Sequence, residues 1–338
     1  MTEASPVVSI LLPVRNEQRY LPAALDSLYR QTLTSWELVA VDDGSSDGTP
    51  AILAEAARRD PRVRVIRSGE RGLVPALNLG LEACRSSLVA RMDGDDISHF
   101  RRLEFQEAYL AGNPAIDLVA CGFRHIPRTG LGAGMRAYEQ WQNSLASHGE
   151  ILRDLFVESP FVHPSVMFRR DTILSLGGYR DSGWPEDYDL WLRMAAAGIR
   201  FARLPQKLFF WRERPERATR TLPEYSAAAF RKCKLHHLKR CFLAGMSEVI
   251  LAGAGREGRA WYRTLREEQV RVTRWVDVDP RKIGRVLHGA PVCDTDEVRA
   301  EKGLRMLVTV GTRGARDQIR DWAVSAGFRE GEDFLCVT

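Results

Sequence analysis

The sequence is short of several features at once, and each shortage removes a class of protein. Six cysteines are scattered through 338 residues, at 84, 121, 233, 241, 293 and 336, with no CxxC pair and no His/Cys cluster at zinc spacing. A disulfide scaffold and a zinc module are thereby excluded, and reduced thiols in a cytosolic protein fit the pattern. No window approaches the roughly 18 uninterrupted apolar residues of a membrane span. The apolar run 7–14 follows Glu3 rather than a basic region and leads straight into Arg15-Asn16-Glu17, so it reads as a buried strand and not as a leader. Any membrane association is therefore expected to be peripheral. One-sided charge is missing too: 49 basic against 44 acidic residues leave +5, too little over this length to mark a nucleic-acid binder. With 44% hydrophobic and 28% charged residues, the composition excludes disorder and collagenous repeats. The length favours two domains, at about 100–200 residues for each.

What is present is an alternation of strand and helix patterns. Strands are expected at 7–12, 36–41, 63–67 and 88–92, and helices at 20–31, 51–59 and 73–84. This is a parallel α/β opening. The turn at 42–50 ends in Thr49, read as an N-cap, and in Pro50 at the first helical position. The rhythm breaks in an arginine-rich stretch holding Arg212, Arg214, Arg217 and Arg220. It restarts with a strand at 247–251, the run Gly253-Ala254-Gly255-Arg256-Glu257-Gly258, a helix to about 268 and a strand at 270–276. A strand at 306–310, a helix at 313–326 and a strand at 334–337 complete it. The expected division is a first domain over 1–222, a basic linker helix over 223–246 and a Rossmann-like domain over 247–338. In the linker, Arg231, Lys232, Lys234, His236, His237, Lys239 and Arg240 are interleaved with Phe230, Leu235, Leu238 and Phe242. That pattern suits an interfacial helix on anionic lipid, and equally a solvated linker helix.

Ligands of open α/β sheets bind beyond the carboxyl ends of the strands, where two acidic clusters fall. In Arg91-Met92-Asp93-Gly94-Asp95-Asp96 the carboxylates repel one another unless a cation lies between them. Hard oxygen donors select Mg²⁺ or Mn²⁺, which bridge to the phosphates of a nucleotide; a solvated acidic turn is the plainer reading. An EF-hand is excluded, because Ser98 stands where its loop needs glycine. Asp43 can accept from a nucleoside base or ribose. Glu186 and Asp187 open an amphipathic helix, where they either complement the helix dipole as a cap or provide a base that the dipole keeps ionised. His163, Trp184 and Arg212 suit the acceptor and diphosphate side, with ordinary packing or a surface ion pair as the alternative. Gly253, Gly255 and Gly258 follow a strand and open a helix, and Asp277 and Asp279 lie just past the next strand, near the spacing of a ribose-binding acid.

Five blocks together resemble family 2 glycosyltransferases of the GT-A fold, in that family's order and spacing over about residues 6–215. They are Val8-Ser9-Ile10-Leu11-Leu12-Pro13-Val14-Arg15-Asn16-Glu17, Val-Asp-Asp-Gly-Ser-Ser-Asp-Gly-Thr at 41–49, Asp-Gly-Asp-Asp at 93–96, His-Pro-Ser-Val-Met-Phe-Arg-Arg at 163–170, and Glu-Asp-Tyr-Asp-Leu-Trp at 186–191. The resemblance implies an α/β fold with a mixed, mostly parallel sheet. It also implies an inverting, Mn²⁺- or Mg²⁺-dependent transfer from a nucleotide-sugar donor to a hydroxyl of a glycan or lipid-linked acceptor in surface polysaccharide biosynthesis. On this reading Pro13, Arg15 and Glu17 line the nucleotide pocket, Asp43 meets the base, and Asp93 and Asp95 form the metal and diphosphate site. Asp96 and Glu186 stand on the acceptor or diphosphate side, and Asp187 deprotonates the acceptor. One departure is the run Ala76-Leu77-Asn78-Leu79-Gly80, which lacks the arginine many members carry, so Arg71 is expected to substitute. The last 90 or so residues resemble the Rossmann-like domains of sugar-nucleotide acetyltransferases and dinucleotide-dependent sugar enzymes. That implies NAD(P) or a second nucleotide at Gly253, Gly255, Gly258 and Asp277, or else a packing and homodimer unit. Two alternatives stay open: a bifunctional protein whose second domain modifies sugars, although no Tyr-x-x-x-Lys is present there, and a non-catalytic assembly scaffold. The expected location is cytoplasmic, peripheral at the inner face of the cell membrane, with no nucleic-acid partner.

Overall fold

The structure is a computed structural model describing residues 5–69, 71–299, 303–312 and 314–338. Its contacts divide the chain into two units, one built from residues up to 151, 160–182 and 186–221, the other from 152–159, 183–185 and 222–338. The first unit contains β1 (Val8–Val14), α1 (Leu21–Tyr29), β2 (Trp36–Asp42), α2 (Thr49–Arg59), β3 (Val63–Arg67), α3 (Leu73–Ala83), β4 (Leu88–Arg91), β5 (Ile97–Ser98), α4 (Arg102–Gly112), β6 (Leu118–Ile126) and α5 (Ala133–Ser144). After α6 (His148–Asp154) come β7 (Val166–Arg169), α7 (Arg170–Ser175), α8 (Glu186–Ala196), β8 (Phe201–Arg212) and the short α9 (Ala218–Thr221).

These strands form one mixed sheet in the order β3-β2-β1-β4-β7-β6-β8-β5. Strands β3, β2, β1 and β4 are mutually parallel, β7 is antiparallel to β4 and β6, and β6 and β8 run parallel. Every residue of β1 and β2 is buried, as expected of parallel strands covered on both faces. The topology brings the carboxyl ends of β1, β2, β4, β6 and β8 and the amino end of β7 to one edge.

Helix α3 lies so close to the sheet that a Cβ at Gly80 would sit 2.3 Å from Leu11 Cδ1 and 2.8 Å from Val41 Cγ2. A buried carboxylate is tolerated beneath it because Glu37 is saturated: it accepts from Ser9 Oγ at 2.7 Å, the Arg85 amide at 2.7 Å and Arg64 Nη1 at 2.8 Å. Thr49 is not the N-cap of α2. Gly48 holds that position, and Thr49 Oγ1 instead accepts the Glu17 amide at 2.8 Å. The segment 130–149, whose content the sequence left open, supplies α5. Its buried Glu139 receives the His125 amide at 2.9 Å and Arg128 Nη1 at 2.7 Å, and lies 3.0 Å from His125 Nδ1.

The second unit contains α10 (Ala227–Leu238), β9 (Glu248–Ala252), α11 (Arg256–Glu267), β10 (Arg271–Val276), β11 (Val286–Leu287), β12 (Ala290–Cys293), β13 (Met306–Val308), α12 (Ala315–Ser325) and β14 (Phe334–Cys336). Its sheet has the order β11-β12-β10-β9-β13-β14, parallel except for β11. Apart from the β11 hairpin, this is the 3-2-1-4-5 order of a doubly wound nucleotide fold. The β11–β12 hairpin turns on His288 (φ 52°) and Gly289 (φ 83°), the paired left-handed residues that a two-residue turn requires. The basic segment read as a linker is part of this unit. Leu235, Leu238 and Phe242 are buried in its core with Trp261 and Trp275, so the apolar side chains that an interfacial helix would present to lipid are already in use. Among the described residues, no helix is long and apolar enough to cross a membrane.

The close approach of α3 gives a direct test of the sheet. Gly80→Ala should cost about 1–3 kcal/mol through overpacking, read as a fall in denaturant midpoint. Gly112→Ala, where a Cβ meets nothing within 4 Å, should be neutral or stabilising, by up to about 1 kcal/mol.

Candidate active site

The loops after β1 and β2 are stitched together at that edge. Asn16 adopts φ 55°; its amide donates to Ser45 Oγ at 3.0 Å and its Oδ1 accepts the Ser46 amide at 2.8 Å. The Gln18 amide donates to Asp47 Oδ2 at 3.1 Å, and Gln18 Oε1 accepts the Gly48 amide at 2.8 Å. These bonds fix Arg15 and Glu17 beside the second acidic turn. Asp43, buried, accepts the Gly72 amide at 2.8 Å and lies 3.9 Å from Arg15 Nη1. Arg71 is exposed and passes over Gly44, where a Cβ would meet its Nε at 3.4 Å. Pro13 is buried in β1 opposite Val41.

The acids after β4 gather as the sequence suggested. One carboxylate oxygen each from Asp93, Asp95 and Asp96 lies within 4.8 Å of the others. Arg91, fully buried, pairs with Asp93 at 2.7 Å. Burial works against the Asp93 carboxylate, but the Arg91 guanidinium outweighs it and holds its pKa below the ordinary value. Asp95 and Asp96 are pushed up, first by burial and then by the neighbouring carboxylates. The end of β8 straps the cluster. The Arg212 amide donates to Asp96 Oδ1 at 2.6 Å and its Nε to the Asp95 carbonyl at 2.6 Å, and Arg214 Nε reaches Asp95 Oδ2 at 2.8 Å while its Nη2 bonds Glu17. Both guanidinium groups lie over the Tyr20 ring, at 4.7 and 5.5 Å. Burial and the Asp95 charge, opposed by Arg214, raise Glu17 to about 7. Asp96 Oδ2 and Glu17 Oε2 are buried without a hydrogen-bond partner. Three clustered carboxylates with an unsatisfied oxygen are the donor set of a hard divalent cation.

A third group is organised around His163. Its Nε2 meets Tyr179 OH at 2.9 Å, and its Nδ1 lies 3.5 Å from Glu186 Oε1. Burial, then Arg91, lowers the His163 pKa, so the ring is neutral and links a phenol to a carboxylate. Tyr179 is itself held from α3: Asn78 Nδ2 donates to its carbonyl and Asn78 Oδ1 accepts its amide, both at 2.9 Å. Gly178 (φ 67°) allows this approach, since a Cβ there would lie 2.5 Å from Asn78 Oδ1. Asn78 thus does structural work where the sequence showed only a missing arginine. Asp187 begins α8 and accepts the Tyr188 amide at 2.6 Å. The expected dipole control of its ionisation is overridden: burial, then Glu186, pushes its pKa well above the ordinary value. Asn78, Arg91, Tyr179 and Arg214 were not among the sequence candidates. The alternation of Arg91 with the acidic run, and the Gly-Gly before Tyr179, were the available signals.

Trp184 belongs to the second unit, with its ring 5.0 Å from that of His236. There the glycine run has three distinct roles. A Cβ at Gly258 would lie 1.8 Å from the Gly253 carbonyl oxygen, Gly253 itself has φ 107°, and a Cβ at Gly255 would meet nothing within 4 Å. Asp277 is already engaged, accepting the Ala254 amide at 2.8 Å and Lys282 Nζ at 2.9 Å.

With this geometry in hand, comparisons with known proteins are informative. Residues 9–176 match the sequence family described as Glycosyl transferase family 2. The amylovoran biosynthesis glycosyltransferase AmsE of Erwinia amylovora is 34% identical over 203 residues, spanning 59% of this chain and 74% of AmsE. S. aureus TarS 1–349, solved in complex with UDP-GlcNAc, matches with a TM-score of 0.56 at 17% identity, over 69% of this chain and 66% of that one. The mannosyltransferase PcManGT from Pyrobaculum calidifontis, in complex with GDP-Man and Mn²⁺, matches with a TM-score of 0.51 at 21% identity, over 79% of this chain and 70% of its own. At such identities the two structures establish the fold alone, while the AmsE match and the family match together place the chain itself: it belongs to glycosyl transferase family 2, the inverting family with the GT-A fold.

Proposed function

We propose that the protein transfers a sugar from a nucleoside-diphosphate donor to a hydroxyl of a glycan or lipid-linked acceptor in surface polysaccharide assembly. The observation that carries this reading is the convergence of two acidic groups on one buried cation. Arg91 pairs with Asp93 at 2.7 Å and its charge also reaches Glu186 and Asp187, so a diphosphate-type site and a candidate base share one strand edge. Asp43 and Arg15 hold the nucleoside and Arg71 the phosphates. Asp93, Asp95 and Asp96 would hold Mn²⁺ or Mg²⁺, which would supply positive charge against a departing diphosphate. Asp187 takes the acceptor proton, and Tyr179 and His163 hold Glu186 beside it. A base on one face of the anomeric carbon and a leaving diphosphate on the other give inversion. The polysaccharide pathway named for AmsE supports the surface-glycan part of the reading, and the ligand named with TarS supports the donor class. In the second unit a nucleotide or NAD(P) at the glycine run would need Asp277 released by Lys282 before that acid could meet a ribose.

Incubation with UDP-, GDP- and dTDP-sugars, with and without Mn²⁺, should release nucleoside diphosphate with at least one donor. Absence of binding and release across the set would exclude the reading. Asp187→Asn should lower turnover by about 10²–10⁴-fold, the usual contribution of a general base, while donor affinity is kept. Because the Asp187 pKa is raised, the base becomes competent only above the ordinary carboxylate range, so log kcat/KM should climb with pH through that raised value. Stability runs the other way: the folded protein holds this charge less well than the unfolded chain does, so the contribution of Asp187 is lost as pH rises from the ordinary carboxylate value through the raised one, and Asp187→Asn should raise the Tm at neutral pH. Arg214 competes with a cation for Asp95, so Arg214→Ala should tighten Mn²⁺ binding several-fold without nucleotide, measured by titration calorimetry; unchanged or weaker binding would show that the guanidinium does not contest the site.

A further inference from the structure

Helices α10 and α11 of the second unit, with the segment Gly183-Trp184-Pro185, enclose a cavity of about 520 Å³, within the range of about 300–1,000 Å³ typical of small-molecule sites. Trp184, Lys232, His236, Lys239, Glu267 and Glu268 are among the residues lining it. The indole of Trp184 and the imidazole of His236 are tilted at 50° with centroids 5.0 Å apart, giving the wall an aromatic corner. Lys239 Nζ pairs with Glu268 at 2.8 Å, and Arg240 Nη1 donates to the His236 carbonyl at 2.7 Å, so the rim is held in place by the end of α10. The exposed Lys232 and Glu267 form no ion pair or hydrogen bond among the described residues.

The chemistry of the wall discriminates between ligand classes. A phosphate site gathers donors of one sign, whereas here the carboxylates of Glu267 and Glu268 accompany the ammonium groups of Lys232 and Lys239. A small anion therefore meets repulsion as well as attraction. A neutral polyhydroxylated ring uses both kinds of group, because its hydroxyls donate to carboxylates and accept from ammonium ions. Its C–H face packs against an aromatic ring, whose amphipathic neighbours suit a ligand with one apolar and one wet side. Buried Leu235 and Thr264 also line the cavity, and its lysines, Arg240 and glutamates are the exposed part of the lining. We propose that this cavity is a saccharide-binding subsite, taking one or two sugar units of the acceptor glycan other than the sugar that reacts. The proposal rests on the glycosyltransferase reading for the source of its ligand.

Saturation-transfer NMR on the full-length protein tests it, with methyl glycosides and disaccharides of glucose, galactose, mannose and N-acetylglucosamine as probes, in the absence of Mn²⁺ and nucleotide. At least one probe should receive saturation on its C–H protons in the wild type and in Asp187→Asn. The signal should fall at least fivefold in Trp184→Ala. It should fall likewise in the Lys232→Ala/Glu267→Ala double variant, whose two exposed positions leave the core untouched and so separate lost binding from lost folding. Absence of transfer from every probe, or transfer that survives in both variants, overturns the proposal. Displacement of the signal by an equal concentration of inorganic pyrophosphate also overturns it, by making the cavity an anion site. Nucleoside-diphosphate release measured on the same samples keeps the two readings distinct. Release without saccharide binding removes the subsite alone, whereas failure of release from every donor removes the transferase reading.

Discussion

The first unit depends on a single buried guanidinium. Arg91 closes β4 with 2% of its side chain exposed, pairs with Asp93 at 2.7 Å, and faces Tyr179 and Glu186. A charge removed from water to this degree needs opposite charge or a full set of hydrogen bonds, and for Arg91 the acids around it supply the charge. The acidic turn after β4 and the acidic start of α8 can therefore share one strand edge because this cation lies between them. Its influence extends to protonation: Arg91 holds Asp93 ionised and, after burial, helps to keep His163 neutral. Arg91 Nε has no hydrogen-bond partner of its own, so the arrangement is balanced by charge more than by saturated bonding. Replacing one partner of such a pair strands the other, which is why breaking buried pairs costs about 3–5 kcal/mol where replacing both is often neutral.

Around this centre, backbone amides do most of the positioning. The turn after β2 receives or supplies four bonds to residues 16–18, so Glu17 is presented from a loop that cannot move independently of Asp43. The strap at the end of β8 works in the same way from the other side, with the Arg212 amide on Asp96 and Arg214 shared between Asp95 and Glu17. Arg214 thereby occupies electrostatically the place that a divalent cation would take, which lets the acids pack without one.

Much of the architecture was legible in the sequence, for a definite reason. Predominantly apolar runs such as 7–14 and 36–41, each ending in polar turns, mark parallel strands buried on both faces, and β3 was located to the residue at 63–67. The glycosyltransferase motifs fall at strand ends, where side-chain type and place in the fold coincide. What was hidden depends on tertiary partners. Thr49 looked like a cap because it precedes a proline, yet its hydroxyl belongs to Glu17. Trp184 was read as an acceptor contact, and the sequence did not show that its ring meets His236. Asn78 looked like a departure from pattern, and only the approach of Gly178 shows what it holds. The basic stretch 231–240 looked solvated or interfacial because alternation in charge says nothing about which apolar neighbours a second core will claim. Even a lysine there is buried: Lys234 Nζ donates to the Val157 and Val337 carbonyls at 2.8 and 3.1 Å.

The two units differ in how burial acts on their carboxylates. In the second unit several buried charges are matched, although Glu224 Oε2, Arg231 Nε and Trp261 Nε1 are buried without a hydrogen-bond partner among the described residues. Asp277 accepts from Ala254 and Lys282, Lys234 from α10 is bonded to two carbonyls, and Arg320 reaches Asp154 at 2.6 Å and Glu330 at 2.8 Å. In the first unit Glu17, Asp96 and Arg91 each keep an unpaired buried atom, and Glu17, Asp95, Asp96 and Asp187 are all driven toward protonation by burial and by one another. Such unpaid charge is unfavourable for folding and survives where a ligand completes the balance. In the second unit Asp277 is matched within the fold, whereas Lys232 and Glu267 at the surface cavity keep unused bonding capacity among the described residues. Ligand chemistry in that unit is therefore to be sought at the α10–α11 face before the glycine run whose pattern first drew attention to it.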